Sequence, residues 1–296
     1  MKAMVKHWID SPWHLAIRPK TLPASAAPVL VGVAAAAGSG GFSFFPALAA
    51  LLGAVLLQIA VNLANDYFDG KSGVDGEERL GPVRVTQSGL IPEKKVFAAM
   101  VGCLGAATLV GLYLVIHAGV PILLIGLLSI LCALAYSGGP YPIASNGLGE
   151  VFAFLFFGPV AVCGTYYVQT LSMGILPLMA SFIPGFHVAA IMLVNNLRDI
   201  PTDTKAGKNT LAVRMGRGKG SVLCALLILG PFFLVPLFFM AGAMGALGFL
   251  SLATFPLTLP LIKDLYTTQG SPLNKTLAGT AKLSVLFSLL FCLGLL

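Results

Sequence analysis

The chain has 296 residues, of which 57% are hydrophobic and only 10% are charged, and its formal net charge is +7 at pH 7. Its mean hydropathy of +0.91 is too high for the apolar surface to be hidden in a water-soluble core. The composition therefore excludes a soluble globular protein and predicts a polytopic membrane protein. The excess positive charge is interpreted as orienting the chain and attracting anionic membrane lipid, and no nucleic-acid partner is implied.

Apolar runs of about 20 residues, enough for a helix to cross roughly 30 Å of hydrocarbon, recur along the whole sequence. They predict an all-α fold, in which about nine transmembrane helices surround a central cavity as a single domain over residues 1–296. The predicted helices lie near 22–39, 46–65, 96–116, 119–136, 150–170, 174–196, 220–240, 243–262 and 276–296.

Lysine and arginine are concentrated in the loops on one side of the predicted membrane helices. The loops near 40–45, 117–119, 171–173 and 241–243 contain no Lys or Arg, whereas the N-terminus and most of the other loops are basic. The positive-inside rule therefore predicts a cytoplasmic N-terminus. We expect a multi-pass protein of the inner cell membrane whose active site faces the cytoplasm.

A first charged segment, residues 62–90, follows predicted helix 2, and six of the chain's 11 acidic residues lie between Asp66 and Glu93. The last polar residues of helix 2 recur every three or four positions and so share one helix face. A polar face is costly against lipid, so we expect it to face the bundle interior. These residues are Gln58, Asn62, Asn65, Asp66 and Asp69.

A second charged segment, residues 195–210, follows predicted helix 6 on the same side of the membrane. Pro201 disfavours the helical state for Ile200, so we expect a kink before the last acid of the segment. We predict that the two charged segments form one site. The polar residues of the second segment that we assign to it are Asn195, Asn196, Asp199, Asp203, Lys205 and Lys208.

Two further stretches border this site in the predicted topology. Arg18 and Lys20 precede the first helix, and Tyr136, Tyr141 and Glu150 flank the loop after predicted helix 4. They are candidates to line a ligand cavity. Alternatively, the basic residues only orient the chain, and the others form an aromatic belt and an acidic helix start.

The residue types of the two charged segments are suited to a metal and a diphosphate. Mg²⁺ prefers a few carboxylates together with water and phosphate oxygens, and Arg or Lys donors bind phosphate groups. The alternative is that the acids and bases of these loops only pair with each other. Arg79, Arg84, Lys205 and Lys208 are the basic residues that we assign to diphosphate binding.

The two charged segments resemble the paired Asp-rich motifs of the UbiA superfamily of intramembrane prenyltransferases. The first motif is Asn65-Asp66-Tyr67-Phe68-Asp69 followed by Asp75, and the second is Asp199-Ile200-Pro201-Thr202-Asp203 with Gly207-Lys208-Asn209-Thr210. The stretches 18–25, 81–90 and 136–140 are similar to the menaquinone-pathway branch, whose acceptor is 1,4-dihydroxy-2-naphthoate.

This resemblance implies a Mg²⁺-dependent enzyme that transfers a polyprenyl group from polyprenyl diphosphate to 1,4-dihydroxy-2-naphthoate, with loss of CO₂ and diphosphate, giving demethylmenaquinone. The implied catalytic residues are Asn65, Asp69, Asp75, Asp199 and Asp203. The implied metal ligands are Asp66, Asp69, Asp75, Asp199 and Asp203. Diphosphate binding would involve Arg79, Arg84, Lys205, Lys208, Asn62, Asn195 and Asn196. Acceptor binding would involve Arg18, Lys20, Gln87, Tyr136, Tyr141 and Glu150.

The sequence departs from the broad superfamily pattern at two positions. Gly73 replaces an Asp of the first motif, which leaves open whether Asp66 or Asp75 completes the metal set. Pro140 replaces a Lys of the hydroxybenzoate enzymes, which disfavours 4-hydroxybenzoate as the acceptor. The alternatives are another aromatic acceptor, such as 4-hydroxybenzoate or homogentisate, and a cation-coupled transporter. The transporter is disfavoured because the acids cluster at the membrane edge and not at its midplane.

Overall fold

The computed structural model of the chain describes residues 11–72, 80, 81 and 83–296, and the described residues are helical with no β-strand. The predicted all-α fold is therefore confirmed. The helices are α1 Pro12–Ile17, α2 Leu22–Gly38, α3 Phe44–Ser72, α4 Glu93–Ala118, α5 Val120–Ala135, α6 Gly149–Leu155, α7 Ala161–Thr170, α8 Ile175–Lys205, α9 Leu211–Met240, α10 Thr258–Thr267 and α11 Leu273–Leu295.

Shorter helical turns connect several of these helices. A π-helical turn over Phe156–Val160 joins α6 to α7, and a 3₁₀ helix over Ala246–Leu257 leads into α10. Two further 3₁₀ turns, Pro19–Thr21 and Ile143–Asn146, lie before α2 and in the loop between α5 and α6. The loop between α5 and α6 is called the 136–148 loop.

In the described part of the chain, eight helical segments are long and apolar enough to cross a membrane. Each of the nine predicted membrane helices coincides with an apolar helical segment. The exception in length is α5, which has 16 residues and so rises only about 24 Å. It is shorter than the roughly 30 Å thickness of a hydrocarbon core, although its sequence is as apolar as that of its neighbours.

The helices divide into an inner and an outer group. The most apolar window is 56% buried in both Pro12–Gly38 and Ile175–Lys205, but only 11% buried in Phe44–Lys71 and Glu93–Ala118. Helices α2 and α8 pack against each other and against α11, so they form the centre of the bundle. The outer helices α3 and α4 pack against each other and leave large apolar side chains exposed, as expected for a surface in contact with lipid.

Helix α8 continues through Pro201 to Lys205. Ile200 is helical in spite of the following proline, so the sequence-based expectation for its backbone is wrong. The hydroxyl of Thr202 donates to the carbonyl of Asp199 at 2.9 Å, which adds a side-chain hydrogen bond to this last part of the helix. The acids of the second charged segment therefore lie on one helix.

Candidate functional site

The polar face of α3 contacts several neighbouring elements in turn. The amide of Asn62 donates to the carbonyl of Ile17 at 2.8 Å and to the hydroxyl of Thr21 at 3.0 Å. Gln58 donates to the Asn62 side-chain oxygen at 3.2 Å. Asn62 is buried, and its contacts hold the segment that leads into α2 against α3.

Asp66, one turn further along α3, is fully buried and accepts hydrogen bonds from the loop at residues 83–90. The backbone N–H groups of Val85 and Thr86 donate to its two carboxylate oxygens at 3.1 Å and 2.9 Å. The hydroxyl of Thr86 lies 2.7 Å from one of these oxygens and 2.7 Å from the Asp66 backbone carbonyl. Gly70 makes room for this contact, since a Cβ there would collide with Thr86.

At the end of the polar face of α3, Asp69 and Asn65 contact two different loops. Asp69 forms a salt bridge with Arg84, whose side chain is only 6% exposed, while that of Asp69 is 17% exposed. Asn65 accepts a hydrogen bond from the hydroxyl of Ser137, in the loop after α5. The end of α3 thus contacts both the 83–90 loop and the 136–148 loop.

In the second charged segment, Arg198 organises the acids and amides of α8. Its guanidinium donates to both carboxylate oxygens of Asp199, at 2.7 and 2.5 Å, and to Asn195 at 2.8 Å. It also donates to Asn274, at the start of α11, at 2.6 Å. Arg198 is 2% exposed, so this cation is satisfied inside the protein and not by water.

The end of α8 carries a looser acid–base pair. The Lys208 ammonium lies 3.9 Å from the Asp203 carboxylate, and the Lys208 backbone N–H donates to the Asp203 carbonyl at 2.9 Å. Asp203 is buried, whereas Lys205 is exposed. Lys208, one of the two predicted lysine ligands, therefore lies beside an acid of the second motif.

Two bridges connect the charged segments. Asn274, which accepts from Arg198, also donates to the carbonyl of Leu80 at 3.1 Å. On the other side, the backbone N–H of Asn209 donates to the carbonyl of Ser145 at 2.8 Å. Ser145 belongs to the 136–148 loop, which also contacts Asn65 through Ser137. The structure therefore brings the two segments to the same end of the bundle, with this loop between them.

A small cavity of about 240 Å³ opens where α3 meets this loop. It is lined by Phe68, Asp69, Lys71, Ser137, Gly138, Gly139, Pro142 and Ser145. A larger groove of about 420 Å³ lies between α3 and α4 and includes Phe45 and Tyr113. We regard the smaller cavity as the functional one, because the larger is apolar and belongs to the outer surface, whereas the smaller contains an acid of the first motif.

Glu150, in the first turn of α6, lies beside the second charged segment. Its carboxylate is buried and accepts a hydrogen bond from the Asn196 amide at 2.8 Å. Tyr136, just beyond the end of α5, donates to the Met192 sulfur at 3.3 Å. Burial raises the pKa of the Tyr136 phenol, and the nearby carboxylates of Glu150 and Asp69 raise it further. Tyr136 is therefore a hydrogen-bond donor that lies near both carboxylates.

The other residues predicted to bind the acceptor differ in their exposure to solvent. Lys20, Gln87 and Tyr141 are exposed, and Tyr141 is 59% exposed. Arg18 is partly buried and has left-handed backbone angles, with φ of 53°, at the turn between α1 and the helix that follows. Asp75 and Arg79 lie outside the described residues.

A metal at this site would meet oxygen donors, which are the donors that Mg²⁺ prefers. Within the described residues, no three His, Cys, Asp or Glu side chains form a group that could hold a metal ion. Asp69, Asp199 and Asp203 each lie against an Arg or a Lys instead. This donor set fits a metal that is shared with the oxygens of a bound substrate and with water, and does not form a closed protein cage.

Several residues that organise the site were not identified from the sequence. Arg198, Asn274 and Thr86 belong to no motif or polar helix face that the sequence reveals. The adjacent acid Asp199 is the available signal for Arg198, since a partly buried carboxylate is stabilised by a nearby cation or by several donors.

Comparison with known proteins identifies the family of the chain. Residues 25–290 match the UbiA prenyltransferase family. The chain is 37% identical to the 1,4-dihydroxy-2-naphthoate octaprenyltransferase of Haemophilus influenzae, covering 100% of this chain and 98% of that protein. It is 35% identical to the enzyme of the same name from Escherichia coli, covering 96% and 94%.

Among solved structures, a UbiA homolog from Archaeoglobus fulgidus bound to GPP and Mg²⁺ has the same fold. The two superpose with a TM-score of 0.65 at 16% sequence identity, covering 95% of this chain and 98% of that one. At that identity the likeness concerns the fold alone. With the family match over residues 25–290 and the bacterial relatives over nearly the full length, this chain belongs to the UbiA prenyltransferase family.

Proposed function

We propose that this protein transfers a polyprenyl group from polyprenyl diphosphate to 1,4-dihydroxy-2-naphthoate in the membrane, releasing diphosphate and CO₂ and giving demethylmenaquinone. The observation that carries the proposal is the convergence of the two acidic motifs on the 136–148 loop. The names of the relatives from Haemophilus influenzae and Escherichia coli support this choice of acceptor. No observation favours a cation-coupled transporter.

The donor diphosphate would bind between the ends of α3 and α8. Arg84 pairs with Asp69 and Lys208 lies beside Asp203, and Arg79 and Lys205 are further candidates for binding the diphosphate. Their positive charges would stabilise the charge that develops on the departing diphosphate. Since this charge grows in the transition state, such contacts accelerate the reaction as well as bind the donor.

Asp69, Asp199 and Asp203 would hold Mg²⁺, with Asp75 as the remaining candidate. When bound, the metal supplies charge neutralisation on the diphosphate oxygens. For Asp199 and Asp69, hydrogen bonds from the arginine partners orient the carboxylates. The carboxylates of Asp69 and Asp199 are both 17% exposed, so they remain accessible to a ligand.

We assign Asp66 to the loop and not to the metal. Both of its carboxylate oxygens accept hydrogen bonds from the 83–90 loop, and the side chain is fully buried. A carboxylate in this state would lose two backbone hydrogen bonds in order to bind a cation. Asn62 is likewise occupied with the segment before α2, which supports a structural role and not diphosphate binding.

The membrane location follows from the substrate as well as from the fold. The polyprenyl tail is too apolar for water, and the apolar bundle would shield the reactive allylic group from hydrolysis. The charge distribution of the loops supports a site on the cytoplasmic face of the inner membrane.

The proposal is tested with purified protein in lipid nanodiscs. We expect Mg²⁺-dependent diphosphate release and a prenylated naphthoquinol only when polyprenyl diphosphate and 1,4-dihydroxy-2-naphthoate are both present. Parallel reactions with 4-hydroxybenzoate and homogentisate should give at most a few per cent of this rate. If one of these is the preferred acceptor, the naphthoate assignment is wrong; if no aromatic compound is prenylated, the proposed function is wrong.

A further inference from the structure

Glu150 is a buried acid with one oxygen in use. Its Oε1 accepts a hydrogen bond from Asn196 at 2.8 Å, whereas its Oε2 is buried and has no hydrogen-bond partner among the described residues. The residue itself is 4% exposed. A buried carboxylate oxygen without a donor is costly, so a donor from a bound molecule is the natural explanation for its position.

A chain of hydrogen bonds fixes Glu150 relative to the second motif. Arg198, which binds both oxygens of Asp199, donates to Asn195 at 2.8 Å. Asn195 donates to the Asn196 oxygen at 3.5 Å, and this amide then donates to Glu150. Because the Asn196 oxygen is used on one side, its NH₂ group must face Glu150. These hydrogen bonds thus fix the orientation of Glu150 relative to Arg198 and Asp199, at the proposed diphosphate site.

The surroundings of Glu150 suit an aromatic ring. Tyr136 lies against the start of α6: its phenol oxygen would be 3.3 Å from a Cβ at Gly149. Met192, four residues before Asn196 on α8, packs on an apolar cluster that includes Ala153, three residues after Glu150 on α6. The Glu150 carboxylate and the Tyr136 phenol therefore lie next to apolar side chains and the Met192 sulfur.

We propose that Glu150 is a catalytic residue that takes the proton of the acceptor's ring hydroxyl and later returns it, and that Asn196 is the positioning residue for this acid. The proposal rests on the proposed function above and goes beyond it, because it names the group that activates the acceptor and the oxygen that does so, Oε2.

The proton balance of the reaction suits one acid used twice. As the bond between the carboxyl-bearing ring carbon and the prenyl carbon forms, the bond from that prenyl carbon to diphosphate breaks. The hydroxyl beside the carboxyl becomes a ketone, and its proton moves to Glu150 Oε2. The adduct is a β-keto carboxylate. When its C–CO₂ bond breaks, the electron pair restores the aromatic ring, CO₂ leaves, and the oxygen takes its proton back from Glu150.

The test compares Glu150→Gln with the wild type in nanodiscs. Gln keeps the size of the side chain and can still contact Asn196, but it cannot take a proton. We expect kcat to fall by at least about 100-fold, as for loss of a general base, with the donor KM within about twofold. The matched control is Glu93→Gln, an exposed first-turn acid of α4, which should leave kcat unchanged.

A second arm needs no variant. An acceptor with a methoxy group in place of the hydroxyl beside the carboxyl has no proton to give, so the wild type should prenylate it at least about 100-fold more slowly than the parent. On this analogue, Glu150→Gln should cause little further loss, because both changes remove the same step. A rate on the analogue equal to that on the parent would overturn the proposal even if the variant fails to fold.

The outcomes separate this inference from the proposed function. If the wild type prenylates the naphthoate and Glu150→Gln does so equally fast, the role of Glu150 is wrong and the proposed function stands. If the variant loses donor binding and thermal stability together with kcat, Glu150 is a structural residue and the inference is again wrong. If the wild type prenylates no acceptor, it is the proposed function that fails.

Discussion

The two acidic motifs end their helices in different ways. On α3, the acids are held by a loop that is distant in sequence: Asp66 binds backbone N–H groups of Val85 and Thr86, and Asp69 binds Arg84. On α8, the acid Asp199 is held by its own neighbour Arg198. The first motif therefore depends on how its loop folds, whereas the second is assembled largely within one helix. The variants below test this difference, beginning with the largest expected effect.

Asp69→Asn and Asp199→Asn should each lower kcat/KM by at least about 1,000-fold, or about 4 kcal/mol of transition-state stabilisation. Each change removes the charge that would hold the metal and its diphosphate. We expect equal losses at the two motifs, because both are halves of one site. Activity is measured with purified protein in nanodiscs, and Glu93→Gln serves as the control with an exposed acid. Substantial activity in either variant would remove that residue from the metal set.

Arg198→Ala should destabilise the protein by about 3 kcal/mol, the usual cost of removing one partner of a buried ion pair. The change leaves Asp199 without its bidentate partner and breaks the contact with Asn274. Thermal unfolding in detergent measures this loss. Lys219→Ala, which removes an exposed cation from α9, is the control and should leave the stability unchanged.

The same measurement tests the view that the second motif is assembled within its helix. Asn274→Ala should cost clearly less stability than Arg198→Ala, because Arg198 would keep its two contacts on α8. Equal losses would mean that the contact with α11, and not the contacts within α8, holds the second motif together.

The sequence was sufficient to predict the two acidic helix ends, but not the hydrogen bonds and ion pairs that hold their acids. The apolar runs indicated the helices, and the spacing of Asn62, Asn65 and Asp69 indicated a polar face on α3. The role of Asp66 depends on backbone N–H groups 19 and 20 residues away, which every residue except proline possesses. No side-chain pattern can therefore identify them as its partners.

The second motif was mispredicted in part for a related reason. The contact between Arg198 and Asn274 joins residues 76 positions apart, and neither side chain is unusual for a loop near the membrane surface. Pro201 was a misleading signal, since local preference predicts a break in the helix while packing in the bundle retains it. The acids were found because their composition is rare in an apolar chain; the groups that hold them were not.

Asp66→Asn should lower the free energy of unfolding by about 2 kcal/mol, because an amide can accept from only one side and places a donor against a backbone donor. The effect on activity should be indirect, through loosening of the 83–90 loop that carries Arg84. Thr86→Val removes the hydroxyl next to Asp66 and should give a smaller loss of the same kind.

The measurement that decides between a loop role and a metal role for Asp66 is the Mg²⁺ dependence of activity. If Asp66 holds the loop, the Mg²⁺ concentration that gives half-maximal activity in Asp66→Asn should stay within about threefold of the wild type while the melting temperature falls. An unchanged melting temperature with a large rise in that concentration would return Asp66 to the metal set and leave the loop contacts without consequence.

Lys208→Met should have the smallest effect. The Lys208 ammonium is 3.9 Å from the Asp203 carboxylate, which is too long for a hydrogen bond, so the pair itself contributes little to stability. If Lys208 binds the donor diphosphate, its loss should raise the donor KM about fivefold, equivalent to about 1 kcal/mol, with no change in melting temperature. Lys205→Met, at an exposed position, is the matched control and should raise KM less.

Because added salt screens charges near the surface, the difference between the two variants should shrink as ionic strength rises. A difference that persists in high salt would show that Lys208 acts through packing and not through its charge.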